Sequence, residues 1–232
     1  FHIEDVQDHV ELGLMRGGHH EVARAYVLYR ERRSQERARQ VTTAAPAKAA
    51  ELFVTDGGQR VALDMAALRA LIESACAGLG KDVSAEPILA ETRRNLYDGV
   101  PIDEVYKASI LAARTLIEKD PDYTYATARL LLHTIFKEVL ARDIAPSEMA
   151  ASYADYFPAF IKKGVENELL DERLLQYDLK RLGGALKAER DLQFDYLGLQ
   201  TLYDRYFLHV RKTRIELPQA FFMRVAMGLA LN

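Results

Sequence analysis

The chain has 232 residues, of which 49% are hydrophobic and 28% are charged, and its formal net charge is −3 at pH 7. These values are typical of a globular protein of one or two domains with apolar cores. The slight acidic excess disfavours general nucleic-acid binding, and no apolar run approaches the roughly 20 residues of a membrane-spanning helix. Because no signal peptide opens the chain, we expect a cytoplasmic location.

The first 40 residues predict two helices. Apolar residues recur at helical spacing from Ile3 to Leu14, and Gly17-Gly18 is expected to end that helix. A second helix is predicted from about 20 to 39. Residues 41–50 are mostly small and include a proline, which is typical of a linker.

The next segment predicts a β-hairpin followed by helices. In LFVTDGGQRVAL two short apolar strands flank Asp56-Gly57-Gly58, and glycine readily adopts the positive φ that such a turn needs. Asp64 is placed to cap the following helix. Four helices are predicted, from Met65 to about Leu79, from about Ala85 to Leu96, from Ile102 to Ile117 and from Tyr125 to Ala141.

The last segment predicts further helices and one short strand pair. A helix from Glu148 to Val165, with Ser147 as its N-cap, is expected to be interrupted or bent at Pro158. Gly183-Gly184 is expected to divide two shorter helices. FDYLGLQTLYDRYFL predicts another helix, VRKTRIELP a strand pair or turn, and Gln219 to Leu231 a final apolar helix.

Several of these runs resemble one enzyme family. Three runs are similar to the ATP-cone, the small allosteric domain of ribonucleotide reductases. They are LFVTDGGQRVALDMAALRALIE, NLYDGVPIDEVYKASILAARTLI and PDYTYATARLLLHTIFKEV. RYFLHVRKTRIELPQAFFMRVAMG resembles the segment that leads into the catalytic barrel of the class I large subunit. The resemblance implies a mainly α fold, with a helical bundle capped by a small β-hairpin or sheet and then an all-helical domain.

The resemblance also implies a division of the chain. Residues 1–40 would be the C-terminal helices of a truncated first cone, 41–50 a linker, 51–142 a second cone, and 143–232 the N-terminal helical domain of the large subunit. A repeat supports two cones, because IEDV near the start resembles IDEV at 102–105. Since the chain begins without methionine and stops before any barrel, we interpret it as a piece of a larger enzyme.

The parent implied by this resemblance is ribonucleoside-diphosphate reductase. It would use barrel cysteines and a radical from a metal-containing small subunit, with ATP and dATP as allosteric effectors. We expect no cofactor and no catalysis in the chain itself. Its expected partners are the rest of the large subunit, the small subunit and, through the apolar final helix, a second copy of the chain, with no nucleic acid or membrane.

The second cone is expected to be degenerate. In family members the hairpin turn is basic, whereas this chain has Asp56 there, and a carboxylate repels phosphates. The family's lysine on the next helix is replaced by Met65, and its threonine and histidine by Ile102 and Tyr106. The resemblance leaves three vestigial nucleotide-pocket candidates, Thr55, Arg60 and Lys137.

Other motifs carry no clear chemistry. Cys76 is the single cysteine, and its helical apolar setting favours a small buried hydrophobe. His19 and His20 are adjacent and point to different sides of a helix, so we predict no metal site. The alternative function is a non-enzymatic nucleotide-sensing or helical interaction module, such as the ATP-cone domain of a transcriptional regulator. One cysteine cannot form the zinc ribbon expected beside the cone of such a regulator.

Overall fold

The computed structural model describes residues 52–142 and 148–231, together with residues 10, 13, 14, 16, 17 and 22. The chain separates into two compact units, Phe1–Glu51 and Leu52–Asn232, and only the second is described at length. Several predictions fall outside the described residues. They concern most of the two helices before residue 40, the linker, His19, His20 and the Ser147 cap. Gly13 and Leu14 are helical and Gly17 lies in a turn.

The second unit is mainly α-helical, as predicted. In chain order its strands and helices are β1 (Phe53–Asp56), β2 (Gln59–Ala62), α1 (Met65–Cys76), α2 (Ala85–Asn95), β3 (Val100–Pro101), α3 (Ile102–Thr115), α4 (Tyr123–Leu140), α5 (Met149–Glu166), α6 (Leu179–Ala185), α7 (Tyr196–Arg205), β4 (His209–Val210), β5 (Thr213–Arg214) and α8 (Pro218–Leu229). Two 3₁₀ segments, Glu172–Gln176 and Ala188–Gln193, flank α6. Among these helices none is both long and apolar enough to cross a membrane.

The predicted hairpin is confirmed and forms part of a three-stranded sheet. β1 pairs antiparallel with β2, and the turn between them places Gly57 at φ 55° and Gly58 at φ 83°. β3 adds to the other side of β1 in parallel, with Val54 opposite Val100, so the strand order is β2-β1-β3. Sequence analysis missed β3, because two residues are too few to show a strand pattern.

The predicted cap of α1 is also confirmed. Asp64 Oδ1 accepts hydrogen bonds from the backbone N–H groups of Ala66 and Ala67, both at 2.9 Å. Such a cap satisfies donors that have no partner inside the helix. It also places the Asp64 carboxylate at the helix end that follows the hairpin.

α4 is the central helix of this unit. It packs against α1, α3 and α7, and it also contacts the 3₁₀ segment Ala188–Gln193 and β5. Ala126, Ala128 and Ile135 on α4 are fully or almost fully buried. A second group of large buried side chains, Tyr153, Phe157, Phe160 and Ile161, lies on α5 and joins the same apolar core. A single core therefore spans residues from the hairpin to α8.

The prediction that Gly183-Gly184 divides two helices is wrong. Both glycines lie inside α6, and a Cβ at Gly183 would lie 3.0 Å from the carbonyl oxygen of Ala154 and 3.3 Å from Phe157 Cβ. Gly183 therefore allows close packing of α6 on α5. Pro158 lies within a continuous α5, so the helix is not interrupted there.

Candidate functional site

A small cavity of about 250 Å³ lies where α1, α3, α4 and the two residues between β2 and α1 meet. It contains the two residues, Ile102 and Tyr106, that the family resemblance places against a nucleotide. The full lining is Leu63, Asp64, Ala67, Leu68, Leu71, Ile102, Val105, Tyr106 and His133. Ile102 and Tyr106 lie one turn apart on α3, and both face this cavity.

The chemistry of this cavity is unsuited to a polyphosphate. Most of its walls are apolar, and among the residues that line it no lysine or arginine is present. The formal charge on the wall belongs to Asp64, whose oxygen accepts the two N–H groups at the start of α1. The helix end that would attract an anion is therefore occupied by a carboxylate of the chain itself.

Thr55 and Arg60 lie together but face another part of the molecule. They are directly opposite each other across β1 and β2. Thr55 Oγ1 donates to the carbonyl oxygen of Gly99 at 3.0 Å, and Arg60 Nη2 donates to Asp98 Oδ2 at 2.7 Å. The Arg60 guanidinium also lies 4.2 Å from the centroid of the Phe53 ring. Both side chains thus connect the hairpin to the turn before β3.

Lys137, the third candidate, lies in a different and larger cavity of about 620 Å³ between α3, α4 and α7. Its Nζ is 3.9 Å from Asp103 Oδ1 and 4.7 Å from the centroid of the Tyr106 ring. Tyr106 lines both cavities, whereas Thr55 and Arg60 line neither. The three candidates therefore do not converge on one pocket.

The charged groups of the larger cavity have partners within the chain. Lys107 Nζ lies 2.8 Å from Glu104 Oε1. Glu138 accepts hydrogen bonds from the Tyr203 hydroxyl and from the backbone N–H of Arg214, each at 2.7 Å. Burial, and then the bond to Glu138, raise the pKa of Tyr203 to about 12. These pairings join α4 to α7 and β5 and leave no excess of positive charge for an anion.

Cys76 is buried at the end of α1, as predicted. Burial raises the pKa of its thiol to about 11, although the nearby Arg129 opposes the shift. A protonated, buried thiol is a poor nucleophile and a poor metal ligand. In the described part of the chain, no three His, Cys, Asp or Glu side chains are grouped as metal ligands would be.

Sequence analysis missed a buried polar cluster. Tyr153 from α5 and Gln219 from α8 both donate to Asp191, which belongs to the 3₁₀ segment Ala188–Gln193. Burial raises the pKa of the Asp191 carboxyl to about 7, while the two hydrogen bonds oppose that shift. Asp191 lies in the polar run Ala188–Gln193, and no local pattern reveals that it is buried.

Comparisons with known proteins agree with this architecture. Residues 192–232 match the family model described as ribonucleotide reductase, all-alpha domain. The chain is 39% identical over 234 residues to ribonucleoside-diphosphate reductase subunit alpha of Chlamydia muridarum, a match that covers 99% of this chain and 22% of that protein. The large subunit of Danio rerio is 30% identical over 176 residues, or 75% of this chain and 22% of that protein.

The chain belongs to the ribonucleotide reductase family, within the group of large, or alpha, subunits. The alpha subunit of Helicobacter pylori strain 26695 is also similar, with 32% identity over 157 residues, 65% of this chain and 18% of that protein. The chain spans about a fifth of the length of the curated relatives it matches.

Proposed function

We propose that this chain is a regulatory and connecting part of the large subunit of ribonucleoside-diphosphate reductase, and that it does not catalyse the reaction by itself. In the whole enzyme it would contribute to the synthesis of deoxyribonucleotides for DNA replication. Support comes from the similarity over 99% of the chain and from the single cysteine, which is buried and has a raised pKa. Its partners would be the rest of the large subunit and the radical-generating small subunit.

Residues 51–142 are proposed to be a degenerate ATP-cone. The observation that carries this proposal is the apolar cavity in which Ile102 and Tyr106 meet and in which Asp64 caps α1. A triphosphate in this cavity would lose water without gaining cations, which is unfavourable by several kcal/mol. Effector control by ATP or dATP would then depend on another part of the enzyme.

A connecting role for this cone is supported by its contacts with the helical region that follows. The proposed boundary at residue 142 lies between elements that share hydrogen bonds. Tyr203 and the Arg214 N–H bind Glu138, and the backbone N–H of Tyr196 donates to Thr124 Oγ1 at 3.1 Å. A displacement of α4 would therefore be transmitted directly to α7 and β5.

Titration calorimetry with magnesium dATP, and separately with magnesium ATP, tests the degenerate cone. We expect no binding heat at effector concentrations up to about 1 mM, and a micromolar dissociation constant would contradict the proposal. A matched variant, Met65→Lys with Ile102→Thr and Tyr106→His, restores two family residues in the cavity and a third at the start of α1. Weak binding by this variant alone would identify those positions as the cause of the lost affinity.

An assay of nucleoside diphosphate reduction tests the absence of catalysis. The chain is mixed with a small subunit that carries its radical, a reductant and a labelled ribonucleoside diphosphate. No deoxyribonucleotide is expected, while a full-length relative provides the positive control. Turnover by the chain alone would contradict the proposal.

Self-association of the chain is proposed from the surface of α8. Phe222, Val225 and Leu229 are exposed on this helix, whereas Met227 is buried. A contiguous apolar surface on a helix favours contact with a second apolar surface. Light scattering over a range of concentrations is expected to show a mass above that of the monomer, and a constant monomer mass would contradict this.

A further inference from the structure

Three side chains from three separate elements meet in the core beneath α8. The Tyr153 hydroxyl of α5 donates to Asp191 Oδ2 at 2.6 Å, and Gln219 Nε2 of α8 donates to Asp191 Oδ1 at 2.7 Å. The backbone N–H of Gln219 donates to the Tyr153 hydroxyl at 3.1 Å, which closes a ring of hydrogen bonds. Asp191 is 1% exposed and Tyr153 is fully buried.

Asp191 has no cationic partner among the residues that the structure describes. Tyr153 and Gln219 supply both of its side-chain hydrogen bonds, and Arg224, the cation on α8, is paired with Glu216. From α4, the Phe136 ring packs edge-on against Tyr153, with 5.5 Å between the ring centroids. On the 3₁₀ segment itself, Glu189 and Arg190 are exposed to solvent. The ionised carboxylate is therefore buried with two neutral donors only.

We propose that Tyr153, Asp191 and Gln219 form a proton-sensitive latch that holds α8 against α5 and the 3₁₀ segment Ala188–Gln193. When Asp191 is protonated, its O–H group donates to the Gln219 amide oxygen after that amide turns over, and the Tyr153 hydroxyl still donates to the other oxygen. Each of the three side chains then keeps one hydrogen bond within the cluster and no charge is buried, while the Gln219 N–H groups give up their bond to Asp191. When Asp191 is ionised, the same bonds hold an unpaired charge in the core, and this weakens the docking of α8.

The sign of the pH dependence follows from linkage. Burial raises the pKa of Asp191 from 3.8 to about 7, so between these values the folded chain binds more protons than the unfolded chain. Protonation of Asp191 therefore stabilises the folded chain at low pH. This stabilisation falls as the pH rises towards 7 and is lost above pH 7. Between pH 6 and pH 8 the opening equilibrium of the latch is expected to change by roughly tenfold.

Hydrogen exchange of the backbone amides of α8, corrected for the intrinsic pH dependence of exchange, tests the latch. In the wild-type chain we expect protection to be roughly tenfold higher at pH 6 than at pH 8. Asp191→Asn keeps the shape of the side chain and cannot ionise, so the tenfold change should be absent from its corrected protection. The control, Asp155→Asn, changes an exposed carboxylate on α5 and should behave as wild type.

A titration of the Asp191 carboxyl carbon by NMR provides a second measurement that needs no change at Asp191. The wild-type midpoint is expected near pH 7, and Tyr153→Phe should move it upward because it removes a donor to the ionised form. A midpoint near 4 would overturn the proposal. Equal pH dependence of α8 protection in the wild-type and Asp191→Asn chains would also overturn it.

Discussion

Arg224 and Glu216 form a two-pronged ion pair inside the protein. Arg224 Nε donates to Glu216 Oε1 at 2.6 Å, and Nη2 donates to Oε2 at 3.1 Å. Oε2 also accepts the backbone N–H of Leu208 at 2.9 Å. The Glu216 side chain has no exposed surface, and burial raises its pKa even though Arg224 opposes the shift. The pair therefore joins α8 to the residue that precedes β4.

Removal of the Arg224 side chain is expected to destabilise the folded chain. In Arg224→Met the buried Glu216 carboxylate loses its cation, and the free energy of unfolding should fall by about 3 kcal/mol or more. Urea unfolding followed by circular dichroism measures this change, which suits a chain without tryptophan. Adding Glu216→Leu to this variant should recover much of the loss, because the unpaired charge is then absent.

The control for the ion pair is Arg173→Met, which breaks the exposed contact of Arg173 with Asp171. An exposed pair is screened by water, so the urea midpoint should be close to that of wild type. An unchanged midpoint in Arg224→Met would show that the buried pair does not contribute to stability.

The two adjacent glycines of α6 should respond in opposite directions to alanine. Gly183→Ala places a Cβ against the backbone of Ala154 and should destabilise the chain by about 1–3 kcal/mol. Gly184 is exposed and has no atom within 4 Å of an added Cβ. Gly184→Ala should therefore be stabilising by up to about 1 kcal/mol. Thermal unfolding of both variants measures the difference, and equal melting temperatures would contradict close packing at Gly183.

Cys76 should be protected from thiol reagents in the folded chain. With a pKa of about 11 in place of 9.0, its thiolate fraction at pH 8 is lower by roughly a hundredfold, and burial slows access further. The rate of reaction with a chromogenic disulfide should therefore be at least about a hundredfold lower than that of a free cysteine. In urea above the unfolding midpoint the rate should become that of an ordinary cysteine. Rapid reaction in the native state would show that the end of α1 is open.

Self-association through α8 should be reduced by a charge at its exposed end. Leu229 is 78% exposed, so Leu229→Glu changes the contact surface with little effect on folding. Sedimentation velocity should show a shift towards monomer for this variant. Leu197→Glu provides the control, since Leu197 is 73% exposed but lies on α7. If both variants shift equally, the association does not depend specifically on α8.

The local elements were predictable from sequence because their causes are local. The Asp56-Gly57-Gly58 turn, the Asp64 cap and the apolar spacing of α1 to α4 each depend on a few neighbouring residues, and the structure confirms them. Family membership was predictable for a similar reason, because the motifs are continuous runs, and the comparisons confirm the family. The lack of cations at residues 55 and 56 could likewise be read directly from the chain.

Only the tertiary structure decided which distant residues meet. Val100 and Pro101 form β3 because they pair with β1. A glycine at 183 allows close packing because α5 lies against it. The burial of Asp191 and Glu216 was not predictable, since an acidic side chain has the same local sequence pattern whether it faces water or the core. Burial and pairing are properties of packed surfaces, so sequence determined the elements and packing determined the charge environments on which stability and the proposed latch depend.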